Sequence, residues 1–300
     1  MRPRLARALL LVLALAACKR DAPLVLPPLP VDLSPVLDVD AGTVLIAAAG
    51  DISDSRLAVQ AQTAGLVETG GYDAVLLLGD NQYLKGSLED YRQWFHPTWG
   101  RLMPLLKPVP GNHEYLTPDA AGYFTYFGER AGEPARGWYS FDLGAWHLIA
   151  LNTNNACRAV ACDVDSEQVR WLREDLARHR NRCTLAYWHH PRWSSGSGHG
   201  PFKGADAIWQ TLAQYGADVV LNGHEHFYER FEPIDGMREF IVGTGGMSHY
   251  EVRPNPLEKS AVRNTDAYGV LELQLQPGAY RWRFVPLAPA TFTDEGSAAC

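Results

Sequence analysis

The sequence has no surplus of positive charge. Its 27 Lys and Arg stand against 34 Asp and Glu, a formal net charge of -7. That balance argues against a general nucleic-acid binder, which needs cations to meet phosphates. Cysteine is scarce, at 5 in 300 residues, and no pair has zinc-finger spacing. No apolar run approaches the roughly 20 residues that a helix needs to cross a bilayer. No internal repeat and no composition break after residue 42 divides the chain. Hydrophobic content of 46% and charge of 20% are ordinary for a globular protein. The 27 Gly and 20 Pro point to many loops, the usual carriers of functional residues.

The first segment reads as an address. Arg2, Arg4 and Arg7 precede the short apolar run Ala8–Ala17, the order of a signal peptide. Leu15-Ala16-Ala17-Cys18 resembles the bacterial lipobox, in which the chain is cut before Cys and that Cys is acylated. Residues 1–17 are therefore expected to be a lipoprotein signal, with a lipid on Cys18 as the link to a membrane. Residues 18–41, with Pro23, Pro27, Pro28, Pro30 and Pro35, are expected to be a tether. The implied location is an exported bacterial lipoprotein, membrane-anchored and facing the periplasm or the cell exterior. In an oxidising compartment the remaining Cys157, Cys162, Cys183 and Cys300 can pair in three ways. Cys157 and Cys162 share one loop and are the favoured pair, with buried free thiols as the alternative.

From residue 42 onward, short apolar runs alternate with helical patterns. Thr43–Ala49 and Asp73–Leu78 read as buried strands, and Leu105–Val109 leads into a third loop. Asp54–Thr69 predicts a helix, and Ser87 predicts an N-cap for a helix through Phe95. Gly137–Leu143 and Ala145–Leu151 read as paired strands around Gly144, and Ser166 caps an amphipathic helix. Thr184–Trp188 and Ala217–Leu221 are strands, with a helix over Ala205–Tyr215 between them. Arg238–Val242, Tyr268–Leu275 and Ala279–Val285 complete the pattern. This order predicts an α/β protein with mixed sheets.

Five of these strands run into loops with metal-type donors: Gly50-Asp51, Gly79-Asp80, Gly111-Asn112-His113-Glu114, His189-His190-Pro191 and Gly223-His224-Glu225-His226. Singly, each could be a turn, since Gly, Asp and Asn favour turns. Together they are not a scatter. Six of the ten histidines (His113, His189, His190, His199, His224, His226) fall at or near these loops. Histidines at i and i+2 share one side of an extended backbone, so one site can recruit both His224 and His226. Strand alternation turns His190 away from His189. Gly243-Thr244-Gly245-Gly246 is a turn or a close-approach loop beside the pocket. His96, His147, His179 and His249 are read as structural.

Asp51, Gly79-Asp80-Asn81-Gln82-Tyr83, Gly111-Asn112-His113-Glu114, His189-x-Pro191 and Gly223-His224-x-His226 resemble the five blocks of the calcineurin-like metallophosphoesterases. Tyr83 and Phe227-Tyr228-Glu229-Arg230 resemble the purple acid phosphatase branch, although Asp51-Ile52-Ser53 departs from that branch's usual Asp-x-Gly. The resemblance runs from about residue 43 to about 275. It implies a four-layer sandwich, two mixed β-sheets flanked by helices, with residues 42–300 as the catalytic domain. It also implies two metal ions, Fe(III) plus Fe(II), Zn or Mn. One would be held by Asp51, Tyr83 and His226, the other by Asn112, His189 and His224, with Asp80 bridging. The implied reaction is hydrolysis of phosphate esters, chiefly phosphomonoesters of small molecules, by a metal-activated hydroxide, with His113 as general acid. Glu114 would orient His113. His199 would act on the substrate side and in catalysis, and His190 could touch phosphate. A phosphodiesterase or nucleotide pyrophosphatase on the same site is the alternative. A non-catalytic metal-binding surface lipoprotein is a third reading, set against the retention of all seven ligand positions and His113.

Overall fold

The computed structural model describes residues 42–54, 58–179 and 183–300. The signal, Cys18 and tether readings lie outside these residues. The elements run β1 (Val44–Ala49), α1 (Val59–Gly70), β2 (Ala74–Leu78), α2 (Leu88–Asp90), β3 (Leu106–Val109), α3 (Ala121–Phe127), β4 (Tyr139–Leu143), β5 (Trp146–Ala150), α4 (Glu167–Arg178), β6 (Cys183–Tyr187) and α5 (Asp206–Gln214). They continue with β7 (Val219–Asn222), β8 (Tyr228–Phe231), β9 (Arg238–Val242), β10 (Ser260–Asn264), β11 (Gly269–Gln276), β12 (Ala279–Pro286) and β13 (Glu295–Ala299). Among the described residues, no helix is long and apolar enough to cross a membrane.

Two mixed sheets form the body, in the orders β13-β12-β11-β1-β2-β3 and β10-β8-β9-β7-β6-β5-β4. The parallel strands β1, β2 and β3 sit together in the first sheet, and β5, β6, β7 and β9 in the second. The continuous apolar runs follow from burial on both faces. Ile46, Ala48, Leu76 and Leu78 face Leu148, Leu185, Tyr187 and Leu221 of the opposite sheet. Their neighbours Ala47, Ala49, Val75 and Leu77 pack under Val67, Phe95, Trp99, Tyr123 and Phe127. On the far side, Ile149, Ala186 and Val220 lie under Val169, Leu172, Ile208 and Leu212 of α4 and α5. The result is the expected four layers, helix–sheet–sheet–helix.

Local signals decide the helix ends. Ser87 Oγ accepts from Asp90 N (3.1 Å) and Ser166 Oγ from Val169 N (3.2 Å), so both caps form as the sequence predicts. The Ser87 helix is only three residues of α-helix and then widens into a π-turn over Tyr91–Phe95, closed by His96 N donating to Tyr91 O (2.8 Å). The helix predicted from Asp54 starts instead at Val59. Residues 51–53 are held in a second ladder: Asp51 N, Ile52 N and Ser53 N donate to the carbonyls of Gly79, Asp80 and Asn81.

The four cysteines among the described residues form two disulfides. Cys157–Cys162 closes the favoured short loop, and Cys183–Cys300 spans 117 residues. The second joins the start of β6 to the residue after β13, and so ties one sheet to the other. Cross-links over long loops remove the most freedom from the unfolded chain. Replacing Cys183 and Cys300 together by Ser should cost about 2–4 kcal/mol, read from the urea midpoint. An unchanged midpoint would show that these two thiols are not joined.

Candidate metal centre

The five loops meet at the ends of the parallel strands, along the seam between the sheets. The first sheet contributes Asp51, Asp80, Tyr83 and Asn112 after β1, β2 and β3. The second contributes His189 after β6, and His224 and His226 after β7. Asp51, Asp80 and His224 adopt left-handed backbone at φ 59, 48 and 70, a conformation that costs energy in residues with side chains and is concentrated at functional sites. Two glycines allow the approach. A Cβ on Gly79 (φ 86) would lie 2.6 Å from His189 Nδ1, and one on Gly243 would lie 2.8 Å from Asp51 Oδ2. The 243–246 segment is therefore a close-approach loop rather than a simple turn.

Four of the side chains, Asp51, Asp80, His189 and His226, spend one polar atom on the backbone and turn the other inward. Asp51 Oδ2 accepts from His224 N (2.8 Å), and Asp80 Oδ1 from His113 N (2.8 Å). His189 Nδ1 lies 2.8 Å from Leu78 O, and His226 Nδ1 lies 2.9 Å from Ser248 O. A carbonyl only accepts, so both rings donate there and direct Nε2 into the site. The inward atoms form two groups. In one, Tyr83 Oη lies 2.9 Å from Asp51 Oδ1, 2.9 Å from Asp80 Oδ2 and 3.1 Å from His226 Nε2. In the other, His189 Nε2 lies 3.2 Å from each of Asp80 Oδ2, Asn112 Oδ1 and His224 Nδ1. Asp80 Oδ2 belongs to both.

These distances amount to a surplus of lone pairs. The Tyr83 hydroxyl has one hydrogen and three acceptors about it, and carboxylate and amide oxygens can only accept. A cation resolves such crowding, so the donor set fits metal ions. With no cation, protons carry the burden. Burial lowers His189, but the Asp80 carboxylate outweighs it and holds the ring at about 9. Burial likewise opposes His226, and Asp51 pulls it upward. Burial, then Asp51 and Asp80, push the Tyr83 phenol well above its ordinary value.

Around these groups stand the expected substrate-side residues. His113 is partly exposed, its ring on that of Tyr83 (4.2 Å), with Nδ1 2.7 Å from Leu84 O and Nε2 3.9 Å from Asp80 Oδ2. His190 is closer than strand alternation implies, with its ring 4.9 Å from His189 and 4.4 Å from His224. β6 ends at Tyr187, so the two-residue period no longer applies there. His190 Nδ1 faces Thr153 Oγ1 (2.9 Å), and burial followed by the neighbouring His189 pulls its ring well below the usual range. His199 is exposed above His224, ring to ring 4.3 Å.

Glu114 serves a different partner from the one expected. Its buried carboxylate accepts from the amides of Asp80, Asn81, Gln82 and Gly111 and from Tyr91 Oη, at 2.7–3.2 Å. It fastens the Asp80 loop to the Asn112 loop rather than steering the His113 ring. Sequence reasoning also missed Tyr250, stacked on His226 at 3.9 Å, and Glu225, buried between the two motif histidines. Glu225 Oε1 accepts from Ser194 Oγ (2.9 Å) and Gly200 N (2.7 Å), holding the loop that carries His199. A carboxylate between two ligand-type histidines was a signal for Glu225; Tyr250 had none.

A family model for calcineurin-like phosphoesterases matches residues 44–228, and the chain belongs to that family. Purple acid phosphatase 15 of Arabidopsis thaliana is 29% identical over 265 residues, covering 71% of this chain and 47% of that protein. Acid phosphatase type 7 of Homo sapiens is 28% identical over 266 residues, covering 71% of this chain and 57% of its own. These relatives put the chain in the purple acid phosphatase-like branch, and the chain spans about half their length. Among solved structures, a purple acid phosphatase from yellow lupin (Lupinus luteus) seeds shares the fold with a TM-score of 0.73 at 17% identity, over 87% of this chain and 54% of that one. So does GAP50, described as the anchor in the inner membrane complex of Plasmodium, with a TM-score of 0.65 at 16% identity, over 85% and 88%.

Glu114→Ala strands four backbone donors in the interior, and should destabilise the chain by about 3–5 kcal/mol. Equilibrium urea unfolding measures this. A loss below about 1 kcal/mol, the net worth of one ordinary hydrogen bond, would mean that the clamp does not hold the loops.

Proposed function

We propose that this chain hydrolyses phosphate esters, phosphomonoesters first, at a two-metal centre. The observation that supports this most is the pair of lone-pair clusters sharing Asp80 Oδ2. Asp51, Tyr83 and His226 would hold one metal, Asn112, His189 and His224 the other, and Asp80 both. The phenolate and carboxylates of the first set suit Fe(III), and the imidazoles and amide of the second suit Fe(II), Zn or Mn. Bound together, such ions polarise phosphoryl oxygens and lower the pKa of water.

The chain's own residues supply orientation and proton transfer. His113 Nδ1 donates to Leu84 O, which fixes the ring so that Nε2 faces the site. From there a protonated His113 can donate to the departing alkoxide. His199 and His190 frame the side of the second cluster, where they can meet the substrate's oxygens. The metals also explain how an acidic protein attracts an anion, since they are the largest local charges. We extend the reading to residues 42–300 as the catalytic unit of an exported lipoprotein anchored through Cys18. The two disulfides agree with an oxidising compartment.

Metal analysis of the purified chain should find at least about two ions, the number a shared-ligand two-metal site holds, including iron. A visible absorption band should accompany the iron and vanish in Tyr83→Phe. Colourless protein with two other metals would move the site to a Mn or Zn pair, and no bound metal after reconstitution would sink the proposal. p-Nitrophenyl phosphate should be cleaved faster than its bis ester; the opposite order would make the chain a diesterase. His113→Ala should lower kcat by about 10²–10⁴-fold, the usual worth of a general acid, at unchanged metal content. An unaltered kcat would remove His113 from that role.

A further inference from the structure

A second constellation of metal-type donors lies apart from the strand-end site, on the edge of the second sheet. Asp142 of β4 and His147 of β5 are direct cross-strand partners, so their side chains share one face. His179 closes the C-terminal end of α4 over the same face, with its ring stacked on His147 at 3.8 Å and 13°. One carboxylate oxygen of Asp142 and one ring nitrogen from each histidine lie within 4.8 Å of one another.

Asp175, two turns into α4, fixes how both rings are oriented. His147 Nε2 lies 2.7 Å from Asp175 Oδ2, and His179 Nδ1 lies 2.8 Å from the Asp175 backbone carbonyl. Asp175 Oδ1 is itself held by Ser140 Oγ (2.9 Å). A carboxylate or carbonyl behind each ring is the support that orients a metal-binding histidine and raises its basicity. It leaves His147 Nδ1 and His179 Nε2 for a ligand. His147 Nδ1 already points at Asp142 Oδ1, at 2.8 Å. His147 is buried, while the Asp142 and His179 side chains are 43% and 27% exposed, so an ion can reach the cluster from solvent.

We propose that Asp142, His147 and His179 form a second, separate divalent-cation site, suited to Zn²⁺. Two imidazoles and a carboxylate are the borderline donors zinc prefers, and solvent on the open side completes four-coordination. The ion takes the place of the proton on His147 Nδ1, which leaves to solvent as the metal binds. Its effect is to staple the β4–β5 hairpin to the end of α4.

The test is a zinc count on tag-free full chain, stripped with chelator, reconstituted with Zn²⁺ and freed of excess by filtration. The wild type should hold one equivalent more than either His179→Ala or Asp142→Asn. Ester hydrolysis by the variants should match the wild type, and so should their melting temperature without metal. Zinc should raise the wild-type melting temperature by more than theirs. The difference of one equivalent does not depend on how many ions the strand-end site takes. Equal zinc counts in all three proteins would overturn the proposal and leave His147 as a protonated bridge between Asp142 and Asp175. A variant that melted early without metal would be replaced by His179→Gln, with the same count deciding.

Discussion

Everything at the functional end of the molecule depends on one oxygen. Asp80 Oδ2 lies 2.9 Å from the Tyr83 hydroxyl and 3.2 Å from His189 Nε2, and so belongs to both clusters of lone pairs. Holding it there requires a left-handed backbone at Asp80, a glycine before it, and a second buried carboxylate, Glu114, beneath the loop. Two buried acids this close are unfavourable, and burial followed by the charge of Asp80 lifts Glu114 to about 7. The amides of Gly111 and Gln82, among others, offset that cost. Local strain and electrostatic cost are concentrated where the surrounding fold is stiff enough to sustain them.

The stiffness comes from the seam. Each lone-pair cluster draws on both sheets: Asp51, Tyr83 and Asp80 meet His226, and Asp80 and Asn112 meet His189 and His224. Neither cluster exists unless the sheets hold their separation. That separation is set by the layer of Ile46, Leu76, Leu78, Leu148, Leu185 and Leu221 between them. Interiors packed to crystal density resist sliding, so the apolar core fixes distances at the site to within what coordination chemistry demands. The Cys183–Cys300 bridge crosses the same two sheets from the far side.

This division explains how much could be read from the sequence. Parallel strands buried on both faces announce themselves as unbroken apolar runs, as in Val44–Ala49 and Ala74–Leu78. Donors immediately after them must then collect at one edge. β11 and β12 read as strands in the sequence, but sheet order and the strands β8, β10 and β13 were not legible, because antiparallel pairing depends on contacts far apart in sequence. The ladder from Asp51–Ser53 to Gly79–Asn81 was hidden for a related reason, since local propensity does not register hydrogen bonds to a segment far along the chain. His190 was misjudged because strand periodicity was carried past the strand's end. Glu114 was placed beside the right loop, but with a side-chain partner instead of backbone amides. A buried carboxylate serving amides leaves no periodic trace.

The same fold is found in a lupin phosphatase and in a Plasmodium protein described as an anchor, so the sandwich does not itself decide the chemistry. The decision rests with what the strand ends carry and what the loops build over them. Here the wall above His224 is fastened from below by three buried glutamates. Glu239 accepts from Arg192 N and Trp193 N, Glu229 from Ser195 N, and Glu225 from Gly200 N. Further along, Ser197 N and Ser195 O join this wall to the 250–253 segment that brings Tyr250 over His226. All three carboxylates grip main chain, and so the wall's course is fixed while the side chains at its tip, His199 among them, stand outward. The donor atoms and the wall are thus held by separate sets of interactions. A chain can then keep the metal-type donors of its family while altering which ester fits above them, because changes at the exposed tip disturb neither the carboxylate grips nor the strand-end ligands.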